Sequence, residues 1–397
     1  MRRITYIIII LCLSLSAYAQ KKDIAQAREF VKKGNDLAKA EQLMSNLLKD
    51  SANRRNDKIW LTLFEAQKKQ YEQGNEKLYL KQQYDTASLF ASAKKMFQTL
   101  EGLDSIDAQP DEKGKVRLNY RKKHAALLNV YRRNLYNGGI YFVRHNKYQE
   151  AYGYFDMYID CGRQPLFSDY NYNDNDSNMP TAAYWAVYCG YKLKDAKATL
   201  HHTYLALKDT AHYHFMLQYL AETYKQENDM KRYQQTLEEG FAKYPRFPFF
   251  FPRLIEYYTQ QNALKEALAL CDKALRNDST NSIYNFSKSS VLLSMRQYDA
   301  CRTICRAMIE RKDSLPGIYL NMGLAYFNQA VEMDKSLRQS ASQRKEIVRL
   351  YQEAMPYLET YRKKAPEQKQ VWGLPLYTIY LNLNKGKEFD EIDKLLR

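Results

Sequence analysis

The sequence predicts an all-α fold, a right-handed superhelical solenoid of stacked antiparallel helix hairpins, and three observations carry that expectation. The composition suits a globular helical chain. Of 397 residues, 45% are hydrophobic and 27% charged, with only 14 Gly and 10 Pro, which argues against long disorder. A large apolar or aromatic residue recurs at Leu217, Phe251, Tyr284 and Tyr319, at spacings of 34, 33 and 35. Tyr is abundant, at 35 residues against 16 Phe and 3 Trp. A phenol packs its face inside a helix pair while its hydroxyl stays wet, as a thin two-layer architecture requires.

Taken in order, residues 1–19 read as a cleaved secretory signal peptide. Arg2 and Arg3 form a basic start, residues 4–16 a hydrophobic run, and Ala17-Tyr18-Ala19 a small-residue cleavage site. The run falls short of the roughly 20 residues needed to span a bilayer. Leu11 before Cys12 stands where a lipoprotein signal carries a small residue. The mature chain is expected to start at Gln20, not to span a membrane, and to reside in the periplasm or cell envelope of a Gram-negative bacterium.

Residues 20–112 are expected to form divergent helical hairpins, over 24–33 with 36–49 and over 58–73 with 83–100. Ala40 marks the close approach in the first. Residues 102–114, with Asp, Pro and Gly, suggest a bend, and 115–144 read as one long helix. From 113 to 397 the periodic array dominates. Seven residues after each opening position stand Tyr224, Tyr258, Val291 and Tyr326, which keeps one stripe of the first helix inward. Sixteen residues after it come Tyr233, Ala267 and Ala300, where the second helix approaches. Residues 134–160 read as a full hairpin, and 181–209 as a weaker one. Tyr319, Gly323 and Tyr326 open a unit that finishes with Ala354, Leu358, Tyr361 and Pro366, with a charged helical insertion at about 328–350. Trp372, Leu376 and Ile379 begin a last pair that caps the stack.

These columns resemble the tetratricopeptide repeat, in which two antiparallel helices recur every 34 residues with aromatic, small and proline positions at fixed offsets. The resemblance implies a protein- or peptide-binding scaffold whose concave face is lined by first helices. Some such domains clamp a C-terminal carboxylate with Lys on first helices. Here Tyr136, Gln218 and Pro252 occupy the corresponding positions, so that activity is not implied.

The formal charge of +16, or +14 once Arg2 and Arg3 leave, favours acidic partners or anionic surfaces. Nucleic acid is not expected for an exported chain. Arg117, Arg121, Lys122, Arg132 and Arg133 are candidate partner-binding residues, since Lys and Arg crowd that stretch. A solvated helix face is the plainer reading of the same charges. A glycan or wall polymer held by aromatic faces and cations is the alternative partner class.

No catalytic residue, cofactor or metal site is assigned. His201, His202, His212 and His214 fall in one stretch, but no carboxylate or Cys stands at a recognised ligand spacing, and adjacent helical residues diverge by about 100°. They read as solvated residues at a repeat junction. The segment 169–176 alternates oxygen ligands but lacks the turn Gly and terminal Glu of a calcium loop, and a polar insertion is preferred. Phosphate-loop, G-x-S-x-G, H-E-x-x-H and C-x-x-C patterns are missing. Cys161, Cys189, Cys271, Cys301 and Cys305 are expected as buried small hydrophobes.

Overall fold

The computed structural model describes residues 20–335 and 340–396. The signal segment expected at 1–19 and part of the insertion expected near 328–350 lie outside them. Every regular element among the described residues is helical. The chain forms two compact units, one ending at Asp229 and the other beginning at Met230.

The first unit contains α1 (20–33), α2 (Leu37–Lys49), α3 (Asp57–Tyr79), α4 (Thr86–Asp107), α5 (Arg121–Tyr131), α6 (Arg133–Arg144), α7 (Tyr148–Asp160), α8 (Tyr172–Asn175), α9 (Met179–Leu193), α10 (Ala196–His201), α11 (Thr203–Ala206) and α12 (Tyr213–Gln226). Helices α3 and α4 pack together, as do α6 and α7, and α9 packs on α7, α10 and α11. Met96, Phe97, Leu100, Leu128, Leu135 and Phe155 are the buried centre. Each such side chain contributes about 1.5–3 kcal/mol on leaving water.

The second unit contains α13 (Met230–Lys243), α14 (Phe250–Gln260), α15 (Leu264–Asn277), α16 (Ser282–Ser294), α17 (Tyr298–Glu310), α18 (Gly317–Asp334), α19 (Ala341–Lys364), α20 (Lys369–Asn382) and α21 (Gly386–Leu396). Each helix packs on the next, and α16 on α18 and α18 on α20 as well. The first helices α16, α18 and α20 therefore stand side by side, as in stacked hairpins. Helices α18 and α19 run 18 and 24 residues, longer than their neighbours. The added length is packed rather than loose, since Ala330, Ile347, Leu350 and Tyr351 are all buried.

The turns show the repeat more sharply than the core does. Asn146, Lys194, Asn228, Asn262, Arg296 and Asn384 all adopt left-handed backbone, with φ between 51° and 58°. From Lys194 to Arg296 they recur every 34 residues. After each, the next residue donates its N–H to the carbonyl five positions back, as Asp195 does to Gly190, Asp229 to Tyr224, Ala263 to Tyr258 and Gln297 to Leu292. That bond, with the shorter one inside it, is a Schellman closure that satisfies carbonyls at the end of each first helix.

Three expectations need correction. Residues 115–144 are not one helix: α5 starts only at Arg121 and breaks at Arg132. There the Arg132 N–H reaches the Asn129 carbonyl, and Leu135 N–H the Arg132 carbonyl, both three residues back rather than four. The bend expected at 102–114 comes later, because α4 continues through Gly102 to Asp107. The Trp60 ring lies 2.7 Å from where a Gly102 Cβ would sit, so this Gly serves packing. Finally, Ala300 is exposed, whereas Cys301, Cys305 and Met308 are buried. The 33-residue step to Tyr284 shifts the second-helix columns by one, while the turns hold the spacing at 34, so Cys301 and Cys305 align with Ala267 and Cys271.

The other repeat positions are placed as follows. Leu217, Phe251, Ala267, Tyr284, Tyr326 and Ala354 are buried, and Tyr224, Tyr258 and Tyr319 are half-buried. Gly323 lets Leu358 of the partner helix approach to 2.6 Å from its absent Cβ. Pro366 follows the end of α19 at Lys364, where a residue without an N–H costs nothing.

Candidate interaction surface

The basic stretch resolves into cations with different fates. Arg117 lies in the segment before α5, largely exposed, with its Nε 3.8 Å from Asp111. Lys122 and Arg133 are exposed. Arg121 instead donates two parallel bonds of 2.8 Å to the buried Asp104 of α4, pinning α5 to its neighbour.

Arg132 is not a surface cation. Only 6% of it is exposed, and its guanidinium is sandwiched 3.8 Å from the Tyr158 and Tyr172 rings. It donates to Asp176 and to the Tyr158 carbonyl, and Tyr158 Oη–H donates to the same Asp176 carboxylate at 2.6 Å. A buried, paired guanidinium is a structural device, so Arg132 leaves the set of partner-binding candidates. The same contacts occupy one carboxylate of the 169–176 segment. Asp176 is turned inward to Arg132, and Asp174 accepts from Asn171 at 2.8 Å. Within the segment, Asn175 Nδ2 also donates to the Tyr170 carbonyl at 3.1 Å, so the side chains of Asn171, Asp174 and Asn175 are used in its own bonding.

An aromatic belt runs over α6, α7, α9 and α12 of this unit. Tyr136 of α6 meets Phe155 edge-on at 5.8 Å, and Phe155 stacks on Trp185 of α9 at 6.5 Å. Trp185 contacts Tyr188 at 5.5 Å, and Tyr188 contacts Tyr219 of α12 at 5.7 Å. Tyr148 joins Tyr188 at 5.9 Å, and the Lys192 ammonium lies within 6.0 Å of both rings. Tyr136, Tyr148, Trp185 and Tyr188 are half-buried, each presenting part of a rigid ring to solvent. Tyr136, at a clamp position, is committed to this packing. Composition signalled that rings would abound, but not which helices would share them.

The four histidines separate. His212 Nδ1 is 2.9 Å from Asp209 and its ring stacks on Tyr184 at 4.2 Å. His214 lies beside Phe215. His201 and His202 instead face Asp156 of α7, with His202 Nε2 2.7 Å and His201 Nδ1 3.6 Å from its Oδ1. Hydrogen bonding from His202, with the charge of both rings and Lys94, holds the Asp156 carboxyl below its ordinary value. Asp156 is the residue that sequence reasoning missed. It lies 46 positions before His202, and nothing local signals the pairing.

No protein-family profile matches the chain, and no curated protein matches it. Among solved structures, the P58(IPK) TPR domain is similar at a TM-score of 0.30 and 11% identity, covering 92% of this chain and 99% of that one. The human IFIT1 dimer with m7Gppp-AAAA is similar at 0.25 and 14%, covering 83% and 72%. A circular tandem repeat protein with a novel repeat topology is similar at 0.28 and 10%, covering 95% and 87%. What those proteins bind does not transfer at such scores. The fold statement rests on the hairpins and the 34-residue turns described above.

Proposed function

We propose that this chain is a non-catalytic interaction scaffold of the bacterial cell envelope, holding a protein or peptide partner against the first helices of its hairpins. The observation that supports this reading best is the aromatic belt from Tyr136 through Trp185 and Tyr188 to Tyr219. Tyr and Trp supply large contact area with few rotors to freeze, the property that makes them interface anchors. Lys192 over the belt, with exposed Arg117, Lys122 and Arg133 elsewhere on the same unit, favours an acidic partner. The envelope location rests on the N-terminal segment of the sequence. Half-exposed rings beside a cation also suit a sugar face, so a glycan or wall polymer is the second reading.

An affinity pull-down from envelope extract, at low and then moderate salt, tests the proposal. One or two proteins retained at both salts, and released by Trp185→Ala with Tyr188→Ala, are the expected outcome. Retention of glycan or lipid alone, lost as salt rises, transfers the role to the second reading.

A further inference from the structure

Adjacent helical residues normally diverge by about 100°, which separates neighbouring imidazoles. Here helix α10 ends at His201, and His202 leaves helical geometry at φ −107° and ψ 15°. That break brings both rings to one side, with centroids 4.2 Å apart and planes at 30°. Both address the same oxygen of Asp156 from α7. Three metal-capable atoms, one from each side chain, lie within 4.8 Å of one another, and no other such trio occurs among the described residues.

From this convergence we infer that Asp156, His201 and His202 form a binding site for a late first-row divalent metal ion, of the zinc or copper class. Two imidazole nitrogens and one carboxylate oxygen are borderline donors, which zinc, copper and nickel prefer over calcium or magnesium. Bonds of about 2.0–2.2 Å put tetrahedral donors roughly 3.4 Å apart. The His201–Asp156 separation of 3.6 Å already fits. The His202–Asp156 contact of 2.7 Å must open, as a hydrogen bond gives way to an ion. Asp156 can move, being 39% exposed, while His202 at 1% supplies the rigid anchor. The half-exposed His201 keeps the remaining coordination positions open to water. Tyr152 Oη, 3.2 Å from His201 Nδ1, borders the site.

The surroundings also set the affinity. A ligating histidine usually donates its other N–H to an outer partner, yet His202 Nδ1 is buried with no hydrogen-bond partner among the described residues. Lys94 brings positive charge toward Asp156. The site is therefore about 10- to 100-fold weaker than one with full outer-shell support, exchangeable rather than structural.

Equilibrium dialysis of the untagged chain against Zn²⁺, with metal analysis, is the test, and visible absorption with Co²⁺ reports coordination independently. One Zn²⁺ per chain is expected, with binding weakened at least tenfold in His201→Ala and in Asp156→Asn and unchanged in His212→Ala. His201 is exposed enough for its variant to fold, which a circular dichroism melt checks. The Co²⁺ spectrum of the unaltered chain stands whatever the variants do. Absence of stoichiometric uptake, uptake indifferent to His201→Ala, or uptake that His212→Ala abolishes overturns the assignment.

Discussion

Partial burial of Glu101 on α4, reinforced by the Asp160 carboxylate on α7, pushes its carboxyl up to about 7. An unfolded chain would release that proton in the ordinary carboxylate range. The folded state therefore binds the proton more tightly, and stability from this group is present at low pH and is lost as pH rises toward 7. Glu101→Gln is expected to raise the unfolding free energy at about pH 8 by on the order of 1–2 kcal/mol, and to leave it nearly unchanged at about pH 5. Urea denaturation at the two pH values checks this, and an equal effect at both would refute it. Arg132 teaches a related lesson at the same scale. Its sequence neighbours suggest a surface cation, but Asp176, Tyr158 and Tyr172 are what decide its role.

At the scale of the element, the hairpin of α9 and α10 closes where a side chain is missing. A Cβ on Gly190 of α9 would stand 2.4 Å from the Thr199 nitrogen and 2.8 Å from the Ala198 carbonyl carbon. Those are backbone atoms of α10 and cannot rotate away. Gly190→Ala is expected to cost about 1–3 kcal/mol through overpacking. Gly386→Ala, at the start of α21 with nothing within 4 Å of its Cβ, should be neutral or slightly stabilising. Thermal melts of the two variants side by side separate a close-approach effect from a general intolerance of change. The turn residues belong to this scale too. Asn accepts left-handed backbone readily, so its recurrence at 146, 228, 262 and 384 was readable in principle. Lys194 and Arg296 at equivalent places hide the pattern from composition alone.

Across the whole molecule, packing rather than disulfide bonding accounts for the five described cysteines. Cys161, Cys189, Cys271, Cys301 and Cys305 are all free and buried. Burial pushes the thiols of Cys189 and Cys271 up to about 12, far from the thiolate that reacts. An aromatic disulfide reagent is expected to label none of the five in the native chain and all five after unfolding, with no change in melting temperature on adding reductant. Rapid labelling without denaturant would contradict the buried placement. The hairpins themselves were legible because they follow from short periodicities: an inward stripe every three or four residues, and a repeat near 34.

By itself the sequence determined the helical class, the hairpin repeat and the inward positions of Leu217, Phe251, Ala267 and Ala354, since spacing along a helix dictates which face a side chain occupies. Tertiary structure alone decided the break at Arg132, the shift from Ala300 to Cys301, the aromatic belt across α6, α7, α9 and α12, and the meeting of Asp156 with His201 and His202. Each of these depends on residues brought together from separate elements, or on a one-residue register that only packing can choose. A long-range contact leaves no periodic trace in the chain, because its partners share a neighbourhood in space and none in sequence.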